Sequence, residues 1–336
     1  MNTGNVLVTG ASGFIGSFLV EEGLKRGFAI TAGIRHYSSK EYLKNPIIHF
    51  LELDFSSIEK IMETLETCKS IGVSFRYIIH CAGITKAGKK EEYFRVNAQN
   101  TQNFIQALIL TDMMPEKFIY MSSLAAFGPG DPLTMNPVRL SDTPNPIESY
   151  GKSKLEAEKY IRSLDSFPWL IFRPTGVYGP REKDYFVFFK TMNRGLETYI
   201  GSQQQILTFI YVKDLARLSF DALVSPIVRK SYFISDGREY DTRTFSDITK
   251  KILQKRTIKI TVPRIIVKQL ASGLEKIYGL WNTIPTLNSD KYNVMSSINW
   301  RCETDPLQTD FGFVAEYDLE NGIRETIDWY KTEHWL

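Results

Sequence analysis

Short apolar segments alternate with longer amphipathic ones through the first half of the chain, and this alternation restricts the possible folds. It predicts six β-strands, at residues 5–9, 29–34, 47–54, 77–80, 117–122 and 169–173. Strands that alternate with helices form βαβ units, which right-handed crossovers join into one parallel sheet. The segments FIYMSS and WLIFRP are nearly continuous in apolar residues, as is typical of central strands covered by helices on both faces. The predicted fold class is therefore α/β, with a doubly wound parallel sheet.

The alternation weakens after Gly179, and the rest of the chain is predicted to divide between two parts. Residues from about 206 to 237 contain apolar segments that return to the sheet layer. Helices near 242–255, 263–281 and 318–332 dominate the remainder. We expect a larger domain formed by residues 1–179 with about 206–237, and a smaller, mostly helical lobe formed by about 180–205 and 238–336.

Composition and charge argue against several classes of protein. The 336 residues include 41 basic and 38 acidic side chains without a long basic block, so nucleic acid is not an expected partner. No apolar segment approaches the roughly 18 residues of a membrane span, and the N-terminal residues lack the features of a secretory signal. Three scattered cysteines favour a reducing, cytoplasmic compartment. The four histidines stand apart from paired cysteines or carboxylates, so we expect no metal site.

A glycine-rich turn follows the first predicted strand. In VLVTGASGFIGSFLVEEGLKRG, residues 6–27, glycines recur at positions 10, 13 and 16 between a strand and a helix. Such glycines let the backbone bend tightly and let a pyrophosphate approach the N-terminus of the helix. The spacing departs from the strict GxGxxG pattern and also fits an ordinary turn. At the start of an alternating sheet it predicts a dinucleotide site formed by Gly10, Ser12, Gly13, Phe14, Ile15 and Gly16.

The end of the second strand has an arginine where NAD-binding sites usually have a carboxylate. Arg35, in the segment AGIRHYSS, can pair with the 2′-phosphate of NADP, and the missing carboxylate removes a repulsion. The alternative is a solvated arginine in a loop. We expect NADP in preference to NAD.

Asp54 ends the third strand, and two roles are open to it. Its carboxylate can accept a hydrogen bond from the adenine amino group, or it can cap the helix that follows, as the sequence DFSS suggests. The two roles are compatible. Asp54 and its neighbour Phe55 are therefore candidates for cofactor binding.

A tyrosine and a lysine stand four residues apart in the segment YGKSK. A helix predicted to begin near Ser149 has one stripe formed by Tyr150, Lys154, Ala157, Ile161 and Leu164. A lysine on a buried stripe is costly without partners, and a nearby ammonium favours the ionised form of a phenol. Tyr150 is therefore a candidate acid or base, and the other interpretation is a surface turn with solvated lysines.

Two serines end the strand KFIYMSS, at the edge of the sheet where ligands bind in open α/β folds. Ser123 is a candidate to hydrogen-bond a substrate oxygen, and Ser122 is a candidate to line the cofactor cleft. Alone, such a pair indicates a cap or a turn. Together with Tyr150 and Lys154, it predicts a catalytic site.

Seven short motifs occur in a fixed order along the chain. They are TGASGFIG (9–16), HCAG (80–83), VNAQNTQN (96–103), MSSLAAFG (121–128), YGKSK (150–154), RPTGVYGPR (173–181) and FIYVKDLA (209–216). This series resembles the extended short-chain dehydrogenases/reductases, the NAD(P)-dependent epimerase/dehydratase superfamily. The resemblance covers most of the chain and implies a Rossmann-type domain with a C-terminal substrate-binding lobe.

The resemblance also implies roles for individual residues. Tyr150 would be the general acid/base, Lys154 would hold the nicotinamide ribose and lower the pKa of the tyrosine, and Ser123 would orient the substrate carbonyl. Asn97 would support the cofactor side of the cleft, and the helices that contain Asn97 and Tyr150 would form a homodimer. Further implied cofactor contacts are Phe55, Cys81, Ala82, Gly83, Ser122, Pro174 and Val177.

Departures from the family pattern bear on the substrate. Sugar-nucleotide epimerases typically have asparagine at the position of Gly176 and arginine at that of Leu207, and both side chains bind the substrate diphosphate. Arg181 or backbone donors remain able to compensate. Leu124 and Ala125 follow the catalytic hydroxyl where 4,6-dehydratases carry Asp-Glu, which disfavours dehydration.

The pattern is most similar to dihydroflavonol reductases and 3β-hydroxysteroid dehydrogenases. We therefore expect an NAD(P)-dependent oxidoreductase that acts on a carbonyl or secondary alcohol of a small molecule. A nucleotide-sugar epimerase with tightly bound NAD and a non-catalytic dinucleotide-binding protein remain alternatives. For the apolar helix predicted at 263–281, three interpretations stay open: the roof of a hydrophobic pocket, plain core packing, or weak contact with a membrane surface.

Overall fold

The computed structural model describes residues 4–279, 285 and 287–336. The strands are β1 (Asn5–Thr9), β2 (Ala29–Ile34), β3 (His49–Glu52), β4 (Tyr77–His80), β5 (Lys117–Met121), β6 (Trp169–Pro174), β7 (Gly176–Tyr178), β8 (Leu196–Ile200), β9 (Ile206–Leu207), β10 (Phe209–Tyr211), β11 (Lys230–Ile234), β12 (Tyr240–Asp241) and β13 (Ile258–Val262). The helices are α1 (Phe14–Lys25), α2 (Ile58–Ser70), α3 (Lys90–Tyr93), α4 (Asn100–Leu110), α5 (Ser149–Arg162), α6 (Asp184–Asn193), α7 (Val212–Val224), α8 (Thr242–Leu253), α9 (Arg264–Gly279), α10 (Ser289–Ser296), α11 (Asp305–Phe311) and α12 (Leu319–Thr332).

The main sheet has seven strands in the order β11-β6-β5-β4-β1-β2-β3, and all of its pairings are parallel. This confirms the predicted α/β class and the doubly wound sheet, and all six predicted strands are present. The third strand is shorter than predicted, because a turn at Asn45 accepts the backbone N–H groups of Ile47 and Ile48 and keeps both residues out of the sheet. The strand order reverses between β1 and β4, which opens a crevice at their carboxyl ends.

The two faces of the sheet have separate cores. Val6 and Val8 of β1 lie in a cluster with apolar residues of α1 and α7. Leu7 lies in a second cluster with residues of α2, α4 and α5. Successive side chains of a strand point to opposite faces, so a strand covered on both sides buries every residue. This explains the near-continuous apolar segments of the central strands.

The C-terminal region is mostly helical, as predicted. Helices α6, α8 and α12 enclose a third core that is rich in aromatic side chains. Three two-stranded sheets, which the sequence did not indicate, pair β7 with β10, β9 with β12 and β8 with β13. Four of these six strands have only two or three residues, and β8 and β13 mix polar with apolar residues and have at most one buried residue each, so their apolar pattern is too short or too interrupted to be recognised. The division into two parts at the stated boundaries stays a prediction.

The helix predicted at residues 263–281 is α9, and Leu280 and Trp281 of that prediction lie outside the described residues. In the part of the chain that the structure describes, no helix combines the length and apolarity needed to cross a membrane. Over the same residues, no three His, Cys, Asp or Glu side chains are grouped as a metal site would require.

Candidate active site

The glycine-rich turn lies at the carboxyl end of β1, where the strand order reverses. Gly10 has a φ of +68°, and a Cβ there would lie 2.8 Å from the backbone of Ala82. A Cβ on Gly16 would lie 2.1 Å from the carbonyl oxygen of Gly10. Gly13 precedes α1 without a side-chain cap, so N–H groups at the start of the helix stay available to an anion. The turn therefore fits a dinucleotide pyrophosphate. The other predicted contacts here, Ser12, Phe14 and Ile15, are half-buried.

Arg35 follows β2 at the rim of the same crevice. Its side chain is exposed, and its backbone N–H donates to Ser38 Oγ at 3.0 Å in a tight turn. The nearby carboxylate of Glu52 pairs with His36 at 2.8 Å. The guanidinium of Arg35 is therefore exposed to solvent. This position fits a contact with a 2′-phosphate and also fits a side chain that binds only water, so both interpretations stay open.

Asp54 follows β3 and makes local contacts. Its carboxylate pairs with Lys60 at 2.8 Å and accepts the Ser56 hydroxyl at 2.6 Å, and these bonds lower its pKa to about 2. The capping role suggested for Asp54 is wrong, because Ser57 caps α2 by accepting the N–H of residue 60. Phe55 packs its ring against the core beneath the sheet edge. The adenine contact of Asp54 stays a prediction.

Cys81, Ala82 and Gly83 follow β4 and form the opposite wall of the crevice. The N–H of Cys81 donates to the carbonyl of Thr9 at 3.2 Å, and the N–H of Ala82 donates to Thr9 Oγ1 at 3.3 Å. A Cβ on Gly83 would lie 2.9 Å from Asn97 Oδ1. The absence of that Cβ lets the chain pass close to Asn97.

Asn97 lies fully buried in a π-helical stretch, Phe94–Gln99, between α3 and α4. Its Oδ1 accepts the N–H of Ile84 at 2.8 Å, and its Nδ2 donates to the carbonyl of Ile84 and to Ser153 Oγ, each at 3.0 Å. Widened turns of this kind are frequent at functional sites. Asn97 therefore ties the loop after β4 to α5, the helix with the tyrosine and lysine.

Tyr150 and Lys154 share one face of α5, as the stripe predicted. Lys154 is 4% exposed, and its Nζ donates to the carbonyl of Met121 at 2.8 Å and lies 6.0 Å from the centroid of the Tyr150 ring. Ala157 and Ile161 continue the buried stripe. Burial lowers the pKa of Lys154 to about 8. An ammonium has three donors, so the bond to Met121 leaves others for a ligand.

The phenol of Tyr150 stays protonated at neutral pH. Burial raises its pKa, the charge of Glu148 raises it further, and a hydrogen bond with Ser123 lowers it. This net increase is opposite to the lowered pKa expected from Lys154, whose Nζ donates to a backbone carbonyl instead. A protonated phenol is the form that a proton donor requires.

Glu148 is a site residue that the sequence analysis did not identify. It is 6% exposed and caps α5, because its carboxylate accepts the N–H of Tyr150 at 2.7 Å and that of Gly151 at 2.6 Å. Burial raises the pKa of this carboxyl to about 7. Glutamate is not a preferred N-cap, so the signal was only its position just before a predicted helix start.

Ser122 and Ser123 have different surroundings. Ser123 Oγ accepts the N–H of Ala125 at 3.2 Å, and its interaction with the phenol of Tyr150 lowers the pKa of that phenol. Ser122 Oγ donates to Glu158 at 2.5 Å, and Glu158 pairs with Arg173 at 2.7 Å in a buried cluster. The hydroxyl of Ser122 thus gives its proton to Glu158, and its predicted contact with the cofactor stays a prediction. Glu158 was not predicted from the sequence, although it lies on the buried side of α5, four residues after Lys154.

Gly176 begins β7, between two predicted cofactor contacts: Pro174 is at the buried end of β6, and Val177 is half-buried in β7. A Cβ on Gly176 would lie 2.5 Å from the Tyr185 hydroxyl. Tyr185 thus occupies the space that an asparagine side chain would need at this position.

Two further positions bear on a substrate diphosphate. Leu207 lies in β9 and pairs with Tyr240 of β12. Arg181 Nη1 donates to Ser17 Oγ at 2.9 Å, and its Nη2 pairs with Glu21 at 2.5 Å, so it binds α1. These contacts hold the guanidinium against α1, and the suggested compensation by Arg181 stays a prediction.

A comparison with known proteins identifies the family. A model of the NAD dependent epimerase/dehydratase family matches residues 6–232, more than half of the chain. The chain belongs to this family. Among its relatives, a UDP-glucose 4-epimerase of Vibrio cholerae is 26% identical over 96% of this chain and 94% of that protein. A ceramide reductase of Caulobacter vibrioides is 25% identical over 99% of this chain and 96% of that protein.

The fold agrees with this membership of the epimerase/dehydratase family. The crystal structure of a UDP-glucose 4-epimerase from Thermotoga maritima with UDP-glucose matches with a TM-score of 0.79, over 98% of this chain and 99% of that chain, at 19% identity. At this identity the match establishes the fold and not the substrate. As a family member the protein is an NAD(P)-dependent oxidoreductase, as expected, which leaves the non-catalytic alternative without support.

Proposed function

We propose that the protein is a reductase or dehydrogenase that transfers hydride between a nicotinamide and a carbonyl or secondary alcohol of a hydrophobic small molecule. The observation that carries this proposal is that Ser123, Tyr150 and Lys154 lie close together near the edge of the sheet that has the glycine-rich turn. A bound nicotinamide dinucleotide would supply or accept the hydride. The protein supplies the proton and the positioning.

Each of these side chains has a separate task in reduction. Tyr150, protonated at neutral pH, donates its proton to the carbonyl oxygen as the bond to hydrogen forms at carbon. Ser123, hydrogen-bonded to the phenol, orients the same oxygen. Lys154 would hold the nicotinamide ribose with its remaining donors, and its charge would stabilise the phenolate that is left. In oxidation the proton returns to Tyr150.

The surroundings of Gly176 support a substrate other than a nucleotide sugar. The Tyr185 hydroxyl fills the space of the asparagine, Leu207 replaces the arginine, and Arg181 is bound to α1. A diphosphate would therefore lack the charge-assisted contacts that bind it best. The relative named as a ceramide reductase is similar over nearly the whole chain, which supports a lipid-like carbonyl substrate.

We further propose that NADP is preferred over NAD. The exposed Arg35 guanidinium after β2 supports this, since a charge-assisted bond to a 2′-phosphate is worth roughly 1.5–3 kcal/mol. Replacing Arg35 by aspartate (Arg35→Asp) should therefore lower the preference for NADP at least about tenfold. The measurement is the ratio of dissociation constants for NADPH and NADH. Arg26→Gln, at the residue that follows α1 and pairs with Asp221, serves as the control. An unchanged ratio in Arg35→Asp would show that the Arg35 side chain is merely solvated.

The similarity to the Vibrio cholerae epimerase keeps an epimerase as the alternative function. Analysis of bound nucleotide distinguishes a reductase from an epimerase. Freshly purified protein is denatured, and released nucleotide is identified by mass spectrometry with its stoichiometry. A reductase releases none, or little NADP, because its cofactor exchanges in every turnover. Nearly one NAD for each chain would instead indicate a cofactor recycled in place and would contradict the proposal.

We also propose a cytoplasmic homodimer. Three free cysteines, Cys68, Cys81 and Cys302, support a reducing compartment such as the cytoplasm. The support for the dimer is the resemblance, together with exposed apolar side chains on α4, Ile109 at 41% and Leu110 at 64%. Light scattering on the purified protein tests the dimer, and the mass of a single chain would contradict it.

A further inference from the structure

Helix α9 has an apolar stripe that faces solvent. Ile266, Leu270 and Ile277 lie at offsets of four and eleven residues, which places them on one side of the helix. They are 44%, 53% and 52% exposed. Among the described residues of this helix, only Val267 and Ala271 are buried. An apolar stripe on a helix is usually buried against other parts of the protein. In the part of the chain that the structure describes, the stripe of α9 is instead largely exposed to solvent.

The strand before α9 adds a second exposed apolar surface. In the parallel pair of β13 and β8, Ile258 is opposite Leu196, and Ile260 is two residues further along the same face. Their exposed fractions are 69% for Ile258, 38% for Leu196 and 41% for Ile260. A single residue, Pro263, separates β13 from α9. The strand and the helix are therefore consecutive in the chain, and both expose apolar side chains.

The charge of this region distinguishes it from the rest of the chain. Residues 255–279 contain six basic side chains, Lys255, Arg256, Lys259, Arg264, Lys268 and Lys276, and one acidic side chain, Glu275. The region thus has a formal charge of +5, whereas the whole chain has +3, so all other residues together carry −2. Glu275 accepts the N–H and hydroxyl of Ser289 at 2.9 and 2.6 Å, which holds it toward α10.

We propose that β13 and α9 form a docking surface for an anionic lipid bilayer. Exposed isoleucine and leucine side chains enter the boundary between headgroups and acyl chains. Lys276, on the flank of the apolar stripe, can reach lipid phosphates, and the other basic side chains of the region add longer-range attraction to an anionic surface. The surplus of basic charge selects a lipid surface because an anionic headgroup layer complements it. Weak contact with a membrane surface was one of the three interpretations that the sequence left open for this helix, and the basic residues just before it in the chain favour that interpretation.

The docking surface is linked to the catalytic helix through α10. Glu275 of α9 holds Ser289, and the next residue, Asp290, accepts the N–H of Ser149 at 3.0 Å. Ser149 immediately precedes Tyr150. A bilayer bound at α9 therefore lies two helices away from the reacting groups. The proposal stands independently of the reaction, but this position suits an enzyme whose hydrophobic substrate is taken from a membrane.

Flotation with lipid vesicles tests the docking surface. The purified protein is mixed with vesicles of equimolar phosphatidylglycerol and phosphatidylcholine, or of phosphatidylcholine alone, at low and high salt. We expect binding to the anionic vesicles that weakens as salt screens the charges. The double substitution Ile266→Glu with Leu270→Glu should reduce the partition coefficient at least about tenfold. The substitution Lys268→Glu with Lys276→Glu should reduce it by a similar factor at low salt.

Matched controls separate docking from folding. Ile71→Glu with Val314→Glu places the same charges on side chains that are 71% and 66% exposed elsewhere, and it should bind vesicles as the wild type does. Thermal unfolding and NADPH binding show that each variant is folded. Because vesicle binding is measured without substrate, failure of the proposed reaction would not alter it.

Three results would overturn the docking proposal. The first is no binding to anionic vesicles, or equal binding to both kinds. The second is wild-type binding by both of the charge-bearing α9 variants. The third is conversion of an oligomer to single chains by Ile266→Glu with Leu270→Glu in the absence of lipid, because a second copy of the chain would then be the occupant of this surface.

Discussion

Burial sets the protonation of three neighbouring residues at the site. Burial raises the pKa of Tyr150, so the phenol keeps its proton at neutral pH. It lowers the pKa of Lys154 to about 8, which leaves most of the ammonium charged. It raises the pKa of Glu148 to about 7, so this carboxyl titrates in the working range. A proton donor and a cation therefore coexist at one pH, as reduction of a carbonyl requires.

Tyr150→Phe should remove the proton donor and leave the fold intact. We expect kcat to fall by a factor on the order of 100–10,000, because a positioned acid contributes about that much. The dissociation constant for NADPH should stay within about twofold, since Lys154 and the glycine-rich turn remain in place. Tyr160→Phe, on the same helix, is the control with unchanged kcat. Retained turnover in Tyr150→Phe would remove the acid/base role.

Glu148→Gln should change how stability depends on pH. The folded-state pKa is raised, so the native state keeps this proton to higher pH than the unfolded chain, and the free energy of unfolding falls as pH rises from about 4 to about 7. Glutamine cannot ionise and removes this dependence. The wild type should lose up to roughly 3 kcal/mol relative to the variant between about pH 5 and pH 8 in urea unfolding.

The exposed Glu156 of α5 provides the comparison for this experiment. Glu156→Gln should give a curve parallel to that of the wild type. Parallel curves for Glu148→Gln as well would show that the buried carboxyl does not titrate in this range.

The sequence predicted the residues whose type and spacing carry chemistry and missed those that act through contacts distant in the chain. Tyr150 and Lys154 were recognisable because four residues separate neighbours on a helix face. Glu158 and Arg173 come from different elements, and only the fold brings them within 2.7 Å. The side-chain contacts of Ser122 were not accessible for the same reason.

Among the elements, the turn between β1 and α1 is the most constrained by close packing. A Cβ on Gly16 would overlap the carbonyl oxygen of Gly10, and backbone atoms cannot move aside as a flexible side chain can. The strands and helices of the first half were predictable because their apolar period is repeated over several residues. Strand β3 ended early, and β8 and β13 went unrecognised, because local turns and distant partners decide such short strands.

Gly16→Ala should destabilise the protein and displace the first turn of α1. We expect a loss of about 1–3 kcal/mol in the free energy of unfolding, and at least about tenfold weaker NADPH binding, because the helix start moves away from the crevice. Gly273→Ala is the matched control. It lies in α9 with no atom within 4 Å of the added methyl group, so it should stabilise by about 0.5–1 kcal/mol. Equal effects of the two substitutions would contradict the packing argument.

At the scale of the whole molecule, a buried carboxylate helps to hold the C-terminal segment against α7. Asp214, in the first turn of α7, is 1% exposed and accepts the N–H groups of Glu316 and Tyr317, each at 3.0 Å. Arg217 pairs with the same carboxylate at 2.9 Å. The rings of Tyr211 and Tyr317 lie 4.2 Å apart beside it. The motif FIYVKDLA thus contains a residue that holds distant parts of the chain together.

Asp214→Asn should loosen this attachment without emptying space in the core. The amide presents one oxygen where three donors converge, so we expect a loss of about 3–5 kcal/mol in urea unfolding, together with faster proteolysis near residues 312–318. Asp221→Asn, on the same helix and 40% exposed at its side chain, also loses an arginine partner, yet it should cost no more than about 1 kcal/mol. A small, equal loss in both variants would show that the C-terminal segment is held mainly by its aromatic contacts, and then Tyr317→Ala should be the more damaging change.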